Sequence, residues 1–179
     1  MVTRRAAAVL LLLGAGVMAE GPAPPPTEYE VKAAFLYNFG KFVEWPPEPD
    51  APGGPFIITV LGRDPFGGVL DETLRGKTVA GREITLRRVS STDRVEPSQI
   101  LFISDSERQR LPEIIEGLGT KAVLTVGEMS DFSERGGVIG FLVEGDRIRL
   151  EINLGAAQRS GLRISSDLLR IARVVGGGG

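Results

Sequence analysis

Two short polar segments carry the side chains that could do chemistry. In the first, Arg63 and Asp64 lie between Gly62 and Gly67, directly after the apolar run at residues 56–61. If that run is a strand, these side chains lie at its carboxyl end, where open α/β sheets usually bind ligands. A small molecule, or an anion held by Arg63, could occupy this crevice. The alternative is a well-capped turn whose glycines only relieve steric crowding.

The second polar segment, residues 163–167, has the order Arg-Ile-Ser-Ser-Asp. Arg163, Ser165 and Ser166 could hold a carboxylate or a phosphate group. Serines directly before an apolar run are also typical helix N-caps, and the same role is expected of Asn153 ahead of residues 154–161. The sequence leaves both interpretations of this segment open.

The residue types exclude most catalytic machinery. The chain contains no histidine and no cysteine, so it has no Ser-His-Asp triad, no thiolate nucleophile, no disulfide and no His-ligated or Cys-ligated metal. Gly76-Lys77-Thr78 resembles the end of a phosphate-binding loop, but Asp71 stands where that motif needs its first glycine. No serine lies three residues before a lysine, as the Ser-x-x-Lys hydrolases require. We therefore predict a binding protein with no enzymatic activity, no cofactor and no metal.

The charge balance argues against a nucleic-acid partner. The 179-residue chain has 21 Lys and Arg against 23 Asp and Glu, a formal net charge of −2. Domains that bind nucleic acids are normally basic. The length fits one domain.

The first residues are typical of a secretory signal peptide. Arg4 and Arg5 precede an apolar run from Ala6 to Ala19 that is too short to span a bilayer, which needs about 20 residues. We predict a signal peptide at residues 1–19, a Pro-rich linker at 20–27, one α/β domain at 28–175 and a glycine tail at 176–179. Export to the periplasm follows, with no direct membrane insertion after cleavage, and the mature chain keeps 19 bases and 23 acids.

Residues 28–45 predict an amphipathic helix rich in aromatic side chains. Val31, Phe35, Phe39 and Phe42 are spaced by four, four and three residues, and prolines 46 and 47 end the pattern. This helix is expected to be the largest hydrophobic contributor to the core. Rings that stay exposed would form a partner-binding face instead.

The remainder of the domain alternates between strand-length apolar runs and helical segments. This alternation predicts a three-layer α/β/α sandwich with a mostly parallel sheet and an antiparallel C-terminal hairpin at its edge. Helices are expected from an Asp64 cap to Leu74, from an Asp105 or Ser106 cap through Leu118, and around Leu168 to Ala172. The predicted strands are residues 56–61, 83–89, 100–104 and 122–126, and the hairpin arms are 138–143 and 147–152, the second with one solvent-facing side. The strand order is not determined.

Three stretches, in order along the chain, resemble the YfiR family. They are Glu30 to Phe39 with Phe42 to Pro46; Ile100 to Ser104 leading to Val123 to Gly127; and an ending made of Gly136 to Ile139, Ile152-Asn153-Leu154, Ala157, Gly161-Leu162, Ile164 to Ser166 and Leu168-Leu169. The resemblance implies a small periplasmic regulator. Its best-known member binds the periplasmic sensor part of an inner-membrane diguanylate cyclase and holds it inactive, which lowers cyclic di-GMP and biofilm formation. That member carries cysteines, whereas this chain has none, so redox control through a disulfide is excluded here.

We therefore expect a non-enzymatic periplasmic regulator that represses an inner-membrane signalling protein, a diguanylate cyclase or a histidine kinase. The alternative is a periplasmic small-molecule binding protein, and a homodimer is left open. The candidate ligand crevice contains Arg63 and Asp64. The candidate partner-binding residues are Tyr37, Trp45, Asn153, Arg163, Ser165 and Ser166.

Overall fold

A computed structural model describes residues 25–47, 53–90 and 97–176. The predicted signal peptide, most of the predicted linker and residues 177–179 of the predicted glycine tail lie outside these described residues. The first element is helix α1 (Glu28–Phe42), which begins with a capping box. In it, Thr27 Oγ1 accepts a hydrogen bond from Glu30 N, and the Glu30 carboxylate accepts one from Thr27 N. The helix ends three residues earlier than the predicted 45.

Eight strands form the main sheet: β2 (Phe56–Leu61), β3 (Thr78–Val79), β4 (Arg82–Val89), β5 (Ile100–Ile103), β6 (Leu124–Gly127), β7 (Ile139–Glu144), β8 (Arg147–Asn153) and β10 (Ala172–Val175). Five parallel strands form its centre, in the spatial order β4-β2-β5-β6-β7. On one side, β8 pairs antiparallel with β7, and β10 pairs parallel with β8. On the other side, β3 pairs antiparallel with β4.

Helices cover both faces of this sheet, which confirms the predicted α/β sandwich. On one face, α1 and α2 (Gly68–Leu74) pack with α4 (Leu154–Arg159) and α5 (Ser166–Arg170) into the larger core. On the other face, α3 (Leu111–Leu118) packs with the loop after β6 around Phe132. A separate two-stranded sheet pairs β1 (Val43–Glu44) with β9 (Arg163–Ile164). Among the described residues, no helix is both long and apolar enough to cross a membrane.

Two predicted helix starts are wrong, and both errors concern capping residues. α2 begins at Gly68 instead of after Asp64, because the Asp64 carboxylate accepts the backbone N–H of Phe66 and closes a turn before the helix. After β5, the cap is Ser104, one residue ahead of the predicted Asp105 or Ser106. Its side chain accepts from Ser106 N and starts a 3₁₀ helix (Asp105–Arg110) that leads into α3.

The C-terminal hairpin is confirmed, but its position at the sheet edge is wrong. α5 ends at Arg170, and Ala172 belongs to β10, which covers the outer side of β8. The predicted last helix is therefore too long at its C-terminal end. The second hairpin arm was also expected to keep one face in water, yet Glu151 is buried, because Arg173 of β10 pairs with its carboxylate.

Candidate ligand-binding and partner-binding sites

The Gly62–Gly67 loop lies at the topological switch point of the sheet. β2 and β5 are neighbours, but the chain continues from β2 to β4 on one side and from β5 to β6 on the other. In open α/β sheets, ligands bind in the crevice between the carboxyl ends of two such strands. Arg63 and Asp64 therefore lie where this fold class most often holds a ligand.

Side chains of the protein itself fill this crevice. A Cβ at Gly62, which has a φ of +90°, would lie 2.5 Å from Ser106 Oγ and 2.8 Å from Glu107 Oε1. Ser106 Oγ also accepts a hydrogen bond of 2.9 Å from Arg63 N, and the buried Glu107 pairs with Arg110 at 3.3 Å. The absence of a side chain at Gly62 thus lets the 3₁₀ helix close over the strand end.

The second predicted crevice residue, Asp64, has both carboxylate oxygens engaged. Oδ1 accepts from Phe66 N at 2.8 Å, and Oδ2 lies 2.6 Å from Nε of Arg88. Arg88 also reaches Asp71 at 2.6 Å, so one guanidinium bridges the loop and α2. The hydrogen bond from Arg88 lowers the pKa of Asp71, and the bonds to Asp71 and then Asp64 raise the pKa of Arg88. This network stabilises the loop and leaves Asp64 no free oxygen for a ligand.

The end of α1 and the second polar segment form one surface. β1 pairs antiparallel with β9, so that Glu44 faces Arg163, and Ser165 N donates to Phe42 O at 2.9 Å. Three of the side chains are exposed: Phe42 by 36%, Glu44 by 76% and Arg163 by 85%. We call this the α1–β9 surface, made of Phe42, Glu44, Trp45 and Arg163. Its two parts lie more than 110 residues apart in the sequence.

Trp45 anchors the α1–β9 surface and is itself half-buried. Its ring meets Phe56 edge to face at 5.2 Å, and its Nε1 donates to Gln99 O at 3.1 Å. A groove of about 640 Å³ runs from Trp45 past Pro46 to Arg82. This surface lies at the amino-terminal end of the parallel strands, opposite the Gly62–Gly67 crevice, because Phe56 begins β2.

Asn153 and Ser165 act as helix caps. Asn153 Oδ1 accepts from Ala156 N at 2.9 Å, while its Nδ2 donates to Ser133 O at 2.8 Å. Ser165 Oγ accepts from Leu168 N at 3.3 Å. The neighbouring Ser166 is exposed. The cap interpretation of Asn153 and Ser165 therefore agrees with the contacts, and Arg163 and Ser166 are the exposed members among the predicted partner-binding residues of the segment.

Tyr37 lies apart from Trp45, beside β3. Its hydroxyl donates to Thr78 O at 3.5 Å, and the Nζ atoms of Lys41 and Lys77 lie 4.2 and 4.6 Å from its ring centroid. In the part of the chain that the structure describes, neither lysine forms an ion pair. Two uncompensated cations therefore meet at one aromatic ring.

The sequence patterns did not predict the buried ion cluster of Lys32, Glu28 and Glu128 beneath α1. Lys32 is only 2% exposed, and its Nζ lies 2.6 Å from Glu128 Oε2 and also pairs with Glu28. Burial lowers the pKa of Lys32, but hydrogen bonds to Glu128 and Glu28 outweigh it and raise the pKa above 10.5. The Tyr29 ring lies 4.8 Å from the ammonium group. One feature of the sequence could have indicated this cluster: Lys32 follows Val31 of the apolar stripe and lies four residues after Glu28.

The described residues contain no cluster of three or more acidic side chains that could hold a metal ion.

A solved structure described as an ABC domain in complex with L-Trp, from Streptococcus pneumonia, is similar to this chain, with a TM-score of 0.52 and 12% sequence identity. The match covers 80% of this chain, which spans only 60% of that one. At this identity the similarity concerns the fold alone. The family model described as YfiR/HmsC-like, DUF4154, matches residues 29–173, nearly the whole predicted domain. The chain therefore belongs to the YfiR/HmsC-like family.

Proposed function

We propose that this protein is a non-enzymatic periplasmic signalling regulator. It binds the periplasmic sensor domain of an inner-membrane signalling protein, a diguanylate cyclase or a histidine kinase, and represses it. The observation that carries this proposal is the family match over residues 29–173, since regulation of such proteins is what the family implies. The proposal also includes export by the predicted signal peptide at residues 1–19, which fits a domain that uses no cysteine.

The site geometry supports binding over catalysis. The switch-point crevice, where this fold class usually places a ligand, is filled by Ser106 and Glu107, and Asp64 is engaged by Phe66 N and Arg88. An exposed ring and an exposed guanidinium stand together on the α1–β9 surface instead. Aromatic and arginine side chains are enriched at the energetic centres of protein interfaces. We assign this surface to the membrane partner.

Deletion of the gene tests the proposed function. Loss of a repressor should raise intracellular cyclic di-GMP, or the output of a kinase, and plasmid-borne wild-type protein should lower it again. The exported, tagged chain should co-purify with one inner-membrane signalling protein. A control that lacks residues 1–19 should not complement, because it stays in the cytoplasm. An unchanged output, together with no co-purifying membrane signalling protein, would refute the proposal.

The position of the Gly62–Gly67 loop favours one alternative, a small-molecule binding protein. Such a ligand would have to displace Ser106 and Glu107 from the strand end, because they occupy the space above Gly62. A ligand that binds the folded state raises the melting temperature with its concentration. A thermal-shift screen with periplasmic metabolites tests this alternative, and a shift that Arg63→Ala abolishes would support it.

A further inference from the structure

Among the described residues, one edge of the main sheet has no neighbouring strand along most of β4. The neighbouring strand β3 has two residues and pairs only with Arg82 and Glu83, through a tight turn in which Ala80 and Gly81 both have positive φ. β4 continues for six more residues, to Val89. No strand of the described part of the chain pairs with that stretch on its outer side.

No strand of the described chain uses the outward backbone groups at this edge. Val89 O accepts from Gly62 N, so the hydrogen-bonding groups of Val89 point toward β2. Because these groups alternate along a strand, those of Leu86 and Arg88 point outward. An open row of N–H and C=O groups is a template for a strand from another chain.

A groove of about 550 Å³ runs along the same edge. Its apolar floor consists of Leu74, Ile84 and Leu86, and its rim carries Arg75 and Lys77. An added strand could place alternate side chains on this floor and the others against the rim. Edge and groove together match the two parts of strand addition, in which the main chain gives affinity and pockets give specificity.

The charges of the rim indicate the chemistry of the occupant. Arg75, Lys77 and the nearby Lys41 form no ion pair with any residue that the structure describes. Of the two acids in the groove, Asp71 is compensated by Arg88 and only Glu83 is without a cation. The excess positive charge favours an acidic segment. It also disfavours a second copy of this chain, because the same edge of that copy would carry the same excess of positive charge.

We infer that an extended, acidic segment of the membrane partner's periplasmic domain adds as a strand to the Leu86–Arg88 edge of β4. Its carboxylates pair with Arg75, Lys77 and Lys41. This inference rests on the proposed function, because it takes the partner to be the repressed membrane protein. The β4 edge would thus contact the partner in addition to the α1–β9 surface.

Charge reversal in the rim is the first test. Arg75→Glu/Lys77→Glu should weaken association with the co-purifying membrane protein by about tenfold, since removal of complementary charge slows encounter. Lys121→Glu/Arg159→Glu changes the net charge equally on a distant surface and should bind like wild type. Wild-type binding by both variants would overturn the inference while leaving the proposed function intact. No binding by the wild-type protein would instead remove the proposed function.

A second test isolates the backbone at Leu86. Leu86→Pro removes the outward N–H and Leu86→Ala keeps it, while both lose the side chain. We expect Leu86→Pro to bind the partner several-fold more weakly than Leu86→Ala at similar melting temperatures. Equal binding would exclude strand addition. Should Leu86→Pro not fold, hydrogen exchange decides: the amides of Leu86 and Arg88 must slow in the complex and stay fast in its absence.

Anionic lipid is the competing source of negative charge. Sedimentation with phosphatidylglycerol vesicles distinguishes an acidic protein segment from lipid headgroups. If the groove binds a protein segment, wild type and Arg75→Glu/Lys77→Glu should bind the vesicles equally weakly. Strong vesicle binding that the double variant loses would assign the cations to lipid headgroups and overturn the protein partner.

Discussion

Lys32 Nζ lies 2.6 Å from Glu128 Oε2, and this ion pair joins α1 to the loop that follows β6. Only 2% of the Lys32 side chain is exposed, compared with 14% of the Glu128 side chain. A buried charge is tolerated only when it is paired and hydrogen-bonded. The pair therefore fixes where the N-terminal half of α1 sits on the sheet.

Breaking this pair should cost much more than removing a surface acid. Glu128→Ala leaves Lys32 buried with Glu28 as its remaining carboxylate, and we expect a loss of about 3 kcal/mol in the free energy of unfolding. The exposed Glu116→Ala should change it by less than about 0.5 kcal/mol. Lys32→Met/Glu128→Gln removes the unpaired charge and should be more stable than Glu128→Ala. Urea denaturation measures all three, and equal losses for the single and double variants would contradict a buried-charge penalty.

The same cluster predicts a loss of stability in alkali. The folded-state pKa of Lys32 is raised above 10.5 by its hydrogen bonds to Glu128 and Glu28, which outweigh its burial, and that of Tyr29 is raised above 10.0 by burial and by the charge of Glu128. A raised folded-state pKa gives stability that is present below the unfolded-state pKa and is lost as the pH rises through the folded-state pKa. The free energy of unfolding should therefore fall more steeply above pH 10 in wild type than in Tyr29→Phe/Lys32→Met. Parallel curves from denaturation at stepwise higher pH would refute the assignment.

Two glycines enclose the ring of Phe132 and cannot be replaced without moving it. A Cβ at Gly127 or at Gly137 would overlap the ring, which is fully buried beneath α3. Gly137→Ala should cost about 1–3 kcal/mol, the usual effect of overpacking a core. Gly117→Ala is the matched control, because a Cβ in that helical position meets nothing within 4 Å. It should stabilise the protein by about 0.5–1 kcal/mol, and destabilisation by both variants in thermal unfolding would contradict the packing argument.

Local patterns predicted the parts of the fold that depend on local physics. Apolar runs such as residues 56–61 and 100–103 became buried parallel strands, and their alternation with helical segments predicted the parallel sheet. Asn153, and Ser165 or Ser166, were expected as possible caps because polar side chains precede apolar helical segments, and Asn153 and Ser165 each accept an N–H from three residues ahead. These features need no knowledge of distant neighbours.

The remainder depends on contacts between distant residues. Ile171 and Ala172 were expected to belong to the last helix, but that helix ends at Arg170, and Ala172–Val175 pair with β8. Glu151 alternates as a solvent-facing residue, but it is buried, and Arg173 of that added strand pairs with its carboxylate. The α1–β9 surface requires pairing of two dipeptides, Val43–Glu44 and Arg163–Ile164, which are too short to leave a strand pattern. No sequence signal was available for such a pairing.

Asn153 and Arg163, two of the predicted partner-binding residues, separate stability from partner binding. Asn153→Ala removes the cap and the bond to Ser133 O and should cost about 1–2 kcal/mol in the free energy of unfolding. Asn153→Ser keeps an N-cap acceptor for Ala156 N without placing a carboxylate against Ser133 O, and it should lose less. Arg163→Glu should leave stability within about 0.5 kcal/mol, since the arginine is 85% exposed and its pair with Glu44 is solvated.

Association with the membrane partner should show the opposite order. We expect Arg163→Glu to weaken it by about tenfold, because the change reverses a charge in an assigned interface. Arg147→Glu, an equally exposed change on the β7–β8 hairpin, should bind normally. Asn153→Ala should also bind normally wherever it remains folded. Loss of binding by Arg147→Glu as well would indicate a general charge effect and would remove the α1–β9 surface as the contact site.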